Sequence, residues 1–282
     1  MSRAAFFTKV ILFLFSVSNL YGIPHYYVTC ADQKFYPRLQ NLLNSIYKND
    51  RSNIAEIAIF DLGFTLRQRL HLKKMHKVKV FDIEMKHSDL LKFFCTDVNR
   101  FVRGWFAWKP VAIKQALEKY PYILYLDSAL EVLKPLNFLF EHIKEKHYFL
   151  VDSEAYIYNR ITQYTIEKVV KNIPNYEENI LGEKSCMHCG GIQGLSREML
   201  KDYINPIYNH VTDIDLFADD GSALLGFGSA RHDQTLFSIY GRKLGLRVFR
   251  SGWNKLEIKG KIHKFHIHWD RKLINENTCI YY

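Results

Sequence analysis

WFAWKPVAIKQALEKYPYILYLDSALEVLKPL, Trp105 to Leu136, is the stretch whose reading decides the fold. Pro110 suits a first helical position, and Val111, Ala112, Ala116 and Leu117 recur at helical spacing, which predicts a helix running to about Tyr120. Tyr122 to Leu126 is an unbroken apolar run, the pattern of a central parallel strand covered by helices on both faces. The chain places Asp127, Ser128 and Ala129 where that strand stops. Ligands of open α/β sheets bind outside the carboxyl ends of the strands, so Asp127 stands where a cofactor or metal would be held. Capping the next turn is the competing use of an aspartate there.

Upstream, Tyr26 to Thr29 reads as a first strand, and Tyr36, Leu39, Leu42, Leu43, Ile46 and Tyr47 give an amphipathic helix. Ile54 to Phe60 is a second strand ending in Asp61-Leu62-Gly63, so strand, helix and strand form a parallel crossover. Asp61 can accept from ribose hydroxyls or a base N–H, and Gly63 lets backbone approach a ligand, although both are ordinary turn residues. Phe64 to Met75 reads as a helix with Arg67 and Arg69, and Val78 to Ile83 as a strand. Residues 84–104 lack clean periodicity and read as a loop with a helical turn.

Downstream, Asn137 to Lys146 is helical, Tyr148 to Val151 is a strand ending at Asp152, and Asn159 to Lys171 is helical again. Pro174 to Ser185 reads as a loop that would form an acceptor lid. CGGIQGL, Cys189 to Leu195, reads as a strand running into a helix capped by Ser196. Gly190 and Gly191 would permit close approach to a ligand, and Gln193 has the amide to bond sugar hydroxyls. Asp213 to Gly228 is an acidic, then glycine-rich loop leading to Asp233-Gln234 and an apolar helix reaching Leu244. Asp233 suits a hydroxyl contact or general base, or simply a helix N-terminus. In the tail, His266 and His268 alternate on a strand and so share a face.

The Trp-Lys-Pro helix, the LDSALEVLKPL segment and the later Asp-Gln together resemble nucleotide-sugar glycosyltransferases of the GT-A fold, closest to an uncharacterised glycosyltransferase-like family carrying WKP, DS(A/S) and DQ motifs. The resemblance covers roughly Tyr26 to Lys272. It implies an α/β, GT-A-like three-layer fold with a mostly parallel central sheet, and transfer of a sugar from a nucleotide-diphosphate donor to a glycan, protein or lipid acceptor. The donor would be held by Thr29, Asp61, Lys109, Asp127, Ser128, Gly191, Gln193 and Arg271, with Asp233 and Gln234 under the reacting sugar. Mn²⁺ or Mg²⁺ would sit on Asp127, His266 and His268. This chain departs from the Asp-x-Asp metal motif, because Ala129 replaces the second carboxylate and removes a hard oxygen ligand. The same substitution suits a second reading, a catalytically inactive GT-A-like module that binds glycan or nucleotide.

A chain of 282 residues with 48% hydrophobic and 15% aromatic content buries a substantial core and is not disordered. Its net charge of +10 is scattered, with no long Lys/Arg run or zinc-finger spacing, so a diphosphate donor or acidic glycan is the expected partner and nucleic acid is not. Residues 1–22 have a basic start and a short apolar run from Val10 to Phe15, which fits a signal peptide or a signal anchor giving membrane association. Residues 23–282 then form a single domain in the lumen of the Golgi or endoplasmic reticulum, or outside the cell. Five cysteines are too few for a disulfide scaffold. The Cys186-Met-His-Cys189 spacing admits zinc or redox chemistry, but no second pair of ligands is spaced for zinc.

Overall fold

The computed structural model describes residues 22–97, 100–268 and 278–281, and the side chains of residues 97 and 268 lie outside that description. The elements in chain order begin with β1 (His25–Ala31), α1 (Tyr36–Asp50), β2 (Ile54–Asp61), α2 (Leu66–Lys73) and β3 (Val78–Asp82). They continue with β4 (Phe93–Asp97), β5 (Arg100–Arg103), α3 (Trp108–Lys119), β6 (Tyr122–Leu126), β7 (Glu131–Val132) and α4 (Asn137–Lys146). Last come β8 (Tyr148–Tyr156), β9 (Cys186–Ser196), α5 (Asp233–Lys243), β10 (Gly252–Ile258), β11 (Lys261–His268) and β12 (Thr278–Tyr281).

The central sheet has six strands in the order β3-β2-β1-β6-β9-β8. β1 pairs in parallel with β2 and β6, β2 with β3, and only β9 runs against the rest. The expected α/β architecture with a mostly parallel sheet is what the chain adopts. All five residues of β6 are buried, as an apolar run flanked by two layers requires. Side-chain alternation splits the core. Val28 and Cys30 of β1 with Ile123 and Tyr125 of β6 meet Val111 and Ile113 of α3 on one face. Tyr27, Leu124 and Leu126 meet Leu39, Leu42 and Leu43 of α1 on the other, which is closed further by Phe265 and Ile267 of a second sheet, β10-β11-β12-β7.

The chain moves outward from β1 to β2 and β3, then returns to place β6 on the opposite side of β1. The gap between the carboxyl ends of β1 and β6 is therefore the switch point at which open α/β sheets bind ligands. The opposite end of β1 is locked by buried polar contacts. Asp50 takes His25 Nδ1 at 2.5 Å, accepts from the Tyr27 hydroxyl, and receives Asn53 Nδ2 at 2.9 Å.

Four sequence expectations change. Residues 84–104 are not a plain loop, because Phe93–Asp97 and Arg100–Arg103 pair as an antiparallel hairpin too short to declare a period. The helix expected over Asn159 to Lys171 is cut to Gln163–Lys168, capped by the Thr162 side chain, because β-branched Val169 and Val170 leave the helix for a tighter turn. Tyr176–Asn179 adds a helical turn inside the expected loop from Pro174 to Ser185. Ser196 does not cap a helix. It closes β9 with its hydroxyl 3.2 Å from His147 Nδ1, and the next helical turn, Leu200–Ile204, is of π type.

Candidate functional site

α3 and α5 deliver one residue each to the switch point. Lys109 is the second residue of α3, and its side chain is 3% exposed. Its ammonium lies 3.2 Å from Asp127 Oδ1, 3.1 Å from Asp233 Oδ2 and 3.1 Å from the Gly190 carbonyl oxygen. Asp233 is the first residue of α5, where the helix dipole favours a carboxylate, and is itself 3% exposed. Asp127 is the most open of the three, with a side chain 23% exposed. Its Oδ1 also receives the Tyr125 hydroxyl at 2.7 Å, and its N–H donates to Gly191 O at 2.9 Å, tying the end of β6 to β9.

Charge in this cluster is set mainly by burial. Burial pushes the Asp233 carboxyl up, Lys109 opposes and Asp127 reinforces, leaving it at about 6. Burial and then Asp127 hold Tyr125 well above the ordinary phenol value, so it remains a neutral donor. Burial likewise pushes up the Cys30 thiol, which lies by Tyr125, Lys109 and Asp127. Gly190 is required by space, since a Cβ there would come within 2.6 Å of Asp233 Oδ2, 2.9 Å of Gln234 Cγ and 3.3 Å of Lys109 Nζ.

The backbone beside these groups is strained. Trp105 (φ 50°), Phe106 (φ 61°) and His232 (φ 50°) are non-glycine residues in the left-handed region, each costing about 1–3 kcal/mol. They pack on one another, with the His232 ring 5.2 Å from Trp105 and 5.6 Å from Phe106. Burial holds His232 down at about 4, so it is a neutral ring, and its Nδ1 is 2.8 Å from Phe217 O. The aromatic stack fixes the two sharp turns that launch Lys109 and Asp233 toward each other.

A second ionic centre stands at the ends of β1 and β2. Asp32 Oδ1 accepts from the N–H groups of Lys34 and Phe35, while its Oδ2 takes Arg103 Nε at 3.3 Å and Nη2 at 3.1 Å. Arg103 also donates to Leu91 O at 2.6 Å and covers the Phe93 ring at 4.0 Å, so it holds the β4-β5 hairpin against the sheet. Sequence reasoning missed this pair. Its one signal was an aspartate directly after β1.

Lys109, Asp127, Asp233 and Gly190, all expected at the site, are thus brought together. Gln234 adjoins them and is half-buried. Ser128 is buried beside Asp127. Thr29 and Gln193 are 2% and 0% exposed, and Thr29 Oγ1 and both Gln193 amide atoms lack a hydrogen-bond partner among the described residues. A ligand reaches neither without an opening of the structure. Asp61 is given to local structure: Oδ1 receives the N–H groups of Gly63 at 2.8 Å and Phe64 at 2.7 Å, and Oδ2 receives Arg69 at 2.7 Å. Arg271 lies outside the described residues.

Of the residues expected to hold a metal, Asp127 and His266 have partners within the protein. Lys109 and Tyr125 both engage Asp127 Oδ1, Ala129 offers no oxygen, and His266 Nδ1 is 3.1 Å from Thr278 Oγ1 with its ring against Trp253. No cluster of three or more His, Cys, Asp or Glu suited to a metal occurs among the described residues, and the His268 side chain lies outside them. The tail does approach the site through backbone register. His268 pairs with Tyr281, and Tyr281 with Glu131, two strand spacings or about 10 Å from β7. The Cys186 and Cys189 thiols are unpaired, and burial pushes Cys189 up to about 12, which disfavours the thiolate that zinc or redox exchange needs.

No family model matches the chain, and no curated protein matches it. Three-dimensional comparison finds solved chains of related shape. The apo form of mouse xyloside xylosyltransferase 1 is 15% identical over 80% of this chain and 84% of its own, with a TM-score of 0.48. Galactosyltransferase LgtC in complex with donor and acceptor sugar analogues is 13% identical over 80% and 73%, with a TM-score of 0.46. The Mn/GDP form of core-mannan synthase A from Aspergillus fumigatus is 12% identical over 77% and 69%, with a TM-score of 0.48.

Proposed function

We propose that this chain is a glycosyltransferase that moves a sugar from a nucleotide-diphosphate donor to a glycan, protein or lipid acceptor. The observation that carries the proposal is the Lys109 ammonium held between Asp127 and Asp233 at the switch point between β1 and β6. Asp127, the open member, accepts hydrogen bonds from hydroxyls of the donor sugar. Lys109 supplies fixed positive charge where the leaving diphosphate develops negative charge, in a site shielded from water. Asp233 acts through Lys109, with which it is paired at 3.1 Å. Protonating Asp233 dissolves one of the two ion pairs and turns the ammonium toward the diphosphate; ionising it draws the ammonium back. Gln234, one residue on, stands ready for a sugar hydroxyl.

Ala129 favours a second reading, a catalytically silent module that binds nucleotide or glycan. One experiment separates the two. The protein is incubated with a panel of nucleotide-diphosphate sugars, and both the shift in melting temperature and the release of nucleoside diphosphate are followed. Stabilisation with release that disappears in Lys109→Met supports the transferase, whereas stabilisation without release supports the silent module. If no donor stabilises the folded protein and none is turned over, both readings fail.

A further inference from the structure

β10 and β11 form a hairpin whose two-residue turn, Lys259 (φ 49°) and Gly260 (φ 73°), has the left-handed conformation that matches the twist of the strands. This turn fixes the register. Lys255 then stands directly opposite Lys264, and Trp253 directly opposite His266. Two ammonium-bearing side chains placed across from each other are a destabilising pair in a sheet. Alternation puts Trp253 and Lys255 on one face of β10, with Glu257 two positions further on.

That face opens into a cavity of about 430 Å³ lined by Arg247, Arg250, Trp253, Asn254, Lys255 and Lys264, with two further backbone-adjacent residues. Four of these carry positive charge and none is acidic. All four cations are exposed, and Trp253 is 57% exposed although its ring is large and apolar. Asn254 Nδ2 donates to Arg250 O at 2.7 Å and Gly252 O at 3.1 Å, which shapes the rim. The nearest acidic side chains on the facing strand are occupied: Asp152 Oδ1 receives the Ser251 N–H at 3.5 Å, and Glu154 accepts from the Ser251 hydroxyl. These carboxylates keep their charge, as does Glu257 on the same face of β10, but the four cations outnumber the three acids around the hollow.

We propose that this cavity binds an acidic saccharide, one bearing carboxylates or sulfates. Anionic groups would bridge Lys255 and Lys264 and relieve their repulsion, the guanidinium groups of Arg247 and Arg250 would take carboxylate or sulfate in forked pairs, and the open Trp253 ring would lie under an apolar sugar face. A sequence-independent nucleic-acid groove instead calls for a track of several aromatic rings along a basic path, and here a single ring stands over an open hollow. The cavity borders Phe249, which bridges to Val151 of β8. From Asp127 the path runs through β9 and β8 to that segment, three strand spacings or about 15 Å. That separation is one an extended saccharide seated here can span. Its role as the acceptor rests on the transferase reading, but its binding does not.

The test is a fluorescence titration of the full chain, without donor, using a sulfated uronic-acid octasaccharide, a neutral N-acetylglucosamine oligomer of equal length, inorganic polyphosphate and single-stranded DNA. The acidic octasaccharide should bind at physiological salt and quench tryptophan emission, and the neutral oligomer should not bind. Arg250→Ala/Lys264→Ala should weaken binding by roughly tenfold or more. Trp253→Ala should weaken it about fivefold and remove the quench. All substituted side chains are exposed, and an unchanged melting temperature certifies the fold. Binding indifferent to these substitutions, or polyphosphate or DNA binding as tightly as the saccharide, would overturn the proposal. The titration contains no donor and reads binding alone, which keeps failure here distinct from failure of the transferase reading.

Discussion

Replacing Lys109 by Met probes the central cluster most directly. The ammonium is 3% exposed and meets Asp127, Asp233 and the Gly190 carbonyl, all within 3.2 Å. Its removal leaves Asp233, also 3% exposed, as a buried charge without its counter-ion, and breaking a buried pair in this way costs about 3–5 kcal/mol. The loss depends on pH. Burial sets the Asp233 carboxyl at about 6, above its ordinary 3.8. The native state therefore holds more protons than the unfolded state between those values, and stability falls as pH rises through them. Without Lys109 the carboxyl rises further and the window widens on its alkaline side. At pH 5 Asp233 is largely protonated with or without Lys109, so Lys109→Met should lose only about 1–2 kcal/mol there, the bond to Gly190 and the pair with the more open Asp127. At pH 8 the full loss should appear, a fall in melting temperature of about 10 °C at about 2–4 °C per kcal/mol. Calorimetry at the two pH values measures both, and Asp233→Asn added to Lys109→Met should restore most of the loss at pH 8. Equal losses at pH 5 and pH 8, or no rescue, would refute the reasoning.

Gly190→Ala should destabilise by about 1–3 kcal/mol through its contacts with Asp233 and Gln234, although alanine normally stabilises a strand relative to glycine; a neutral or raised melting temperature would show that the site yields. Nucleoside diphosphate affinity should weaken as pH rises from 5.5 to 7.5, because ionising Asp233 reclaims Lys109, and calorimetric titration of Asp233→Asn should show that slope flattened. Arg103→Ala should free the β4-β5 hairpin, raising hydrogen exchange across residues 91–103 by roughly tenfold or more through loss of its charged bonds to Asp32, while exchange in β6 stays unchanged. Asp50→Ala should cost about 3 kcal/mol in urea unfolding by stripping partners from His25 and Tyr27, yet leave donor binding intact because it lies at the far end of β1.

The central helix and strand were legible because Val111 to Leu117 carry a helical period and Tyr122 to Leu126 form an unbroken apolar run. Asp127 and Asp233 were legible as acids at a strand end and a helix start, two places where the fold presents side chains to ligands. The Asp32–Arg103 pair was not, since its members are 71 residues apart and Arg103 sits on a four-residue strand without a pattern. Thr29 and Gln193 show another limit. Alternation says which face a residue takes, but whether that face is sealed depends on distant segments, and both proved fully enclosed. Lys255 and Lys264 became neighbours only through the turn at Lys259 and Gly260, which a string of scattered lysines does not announce.

Lys109 carries its charge on its own side chain, so the centre is equipped as soon as the polypeptide folds. Because the same ammonium also offsets two inward-facing acids, a lineage that drifted at this position would meet misfolding before it met altered chemistry, and the residue would be retained on both accounts at once.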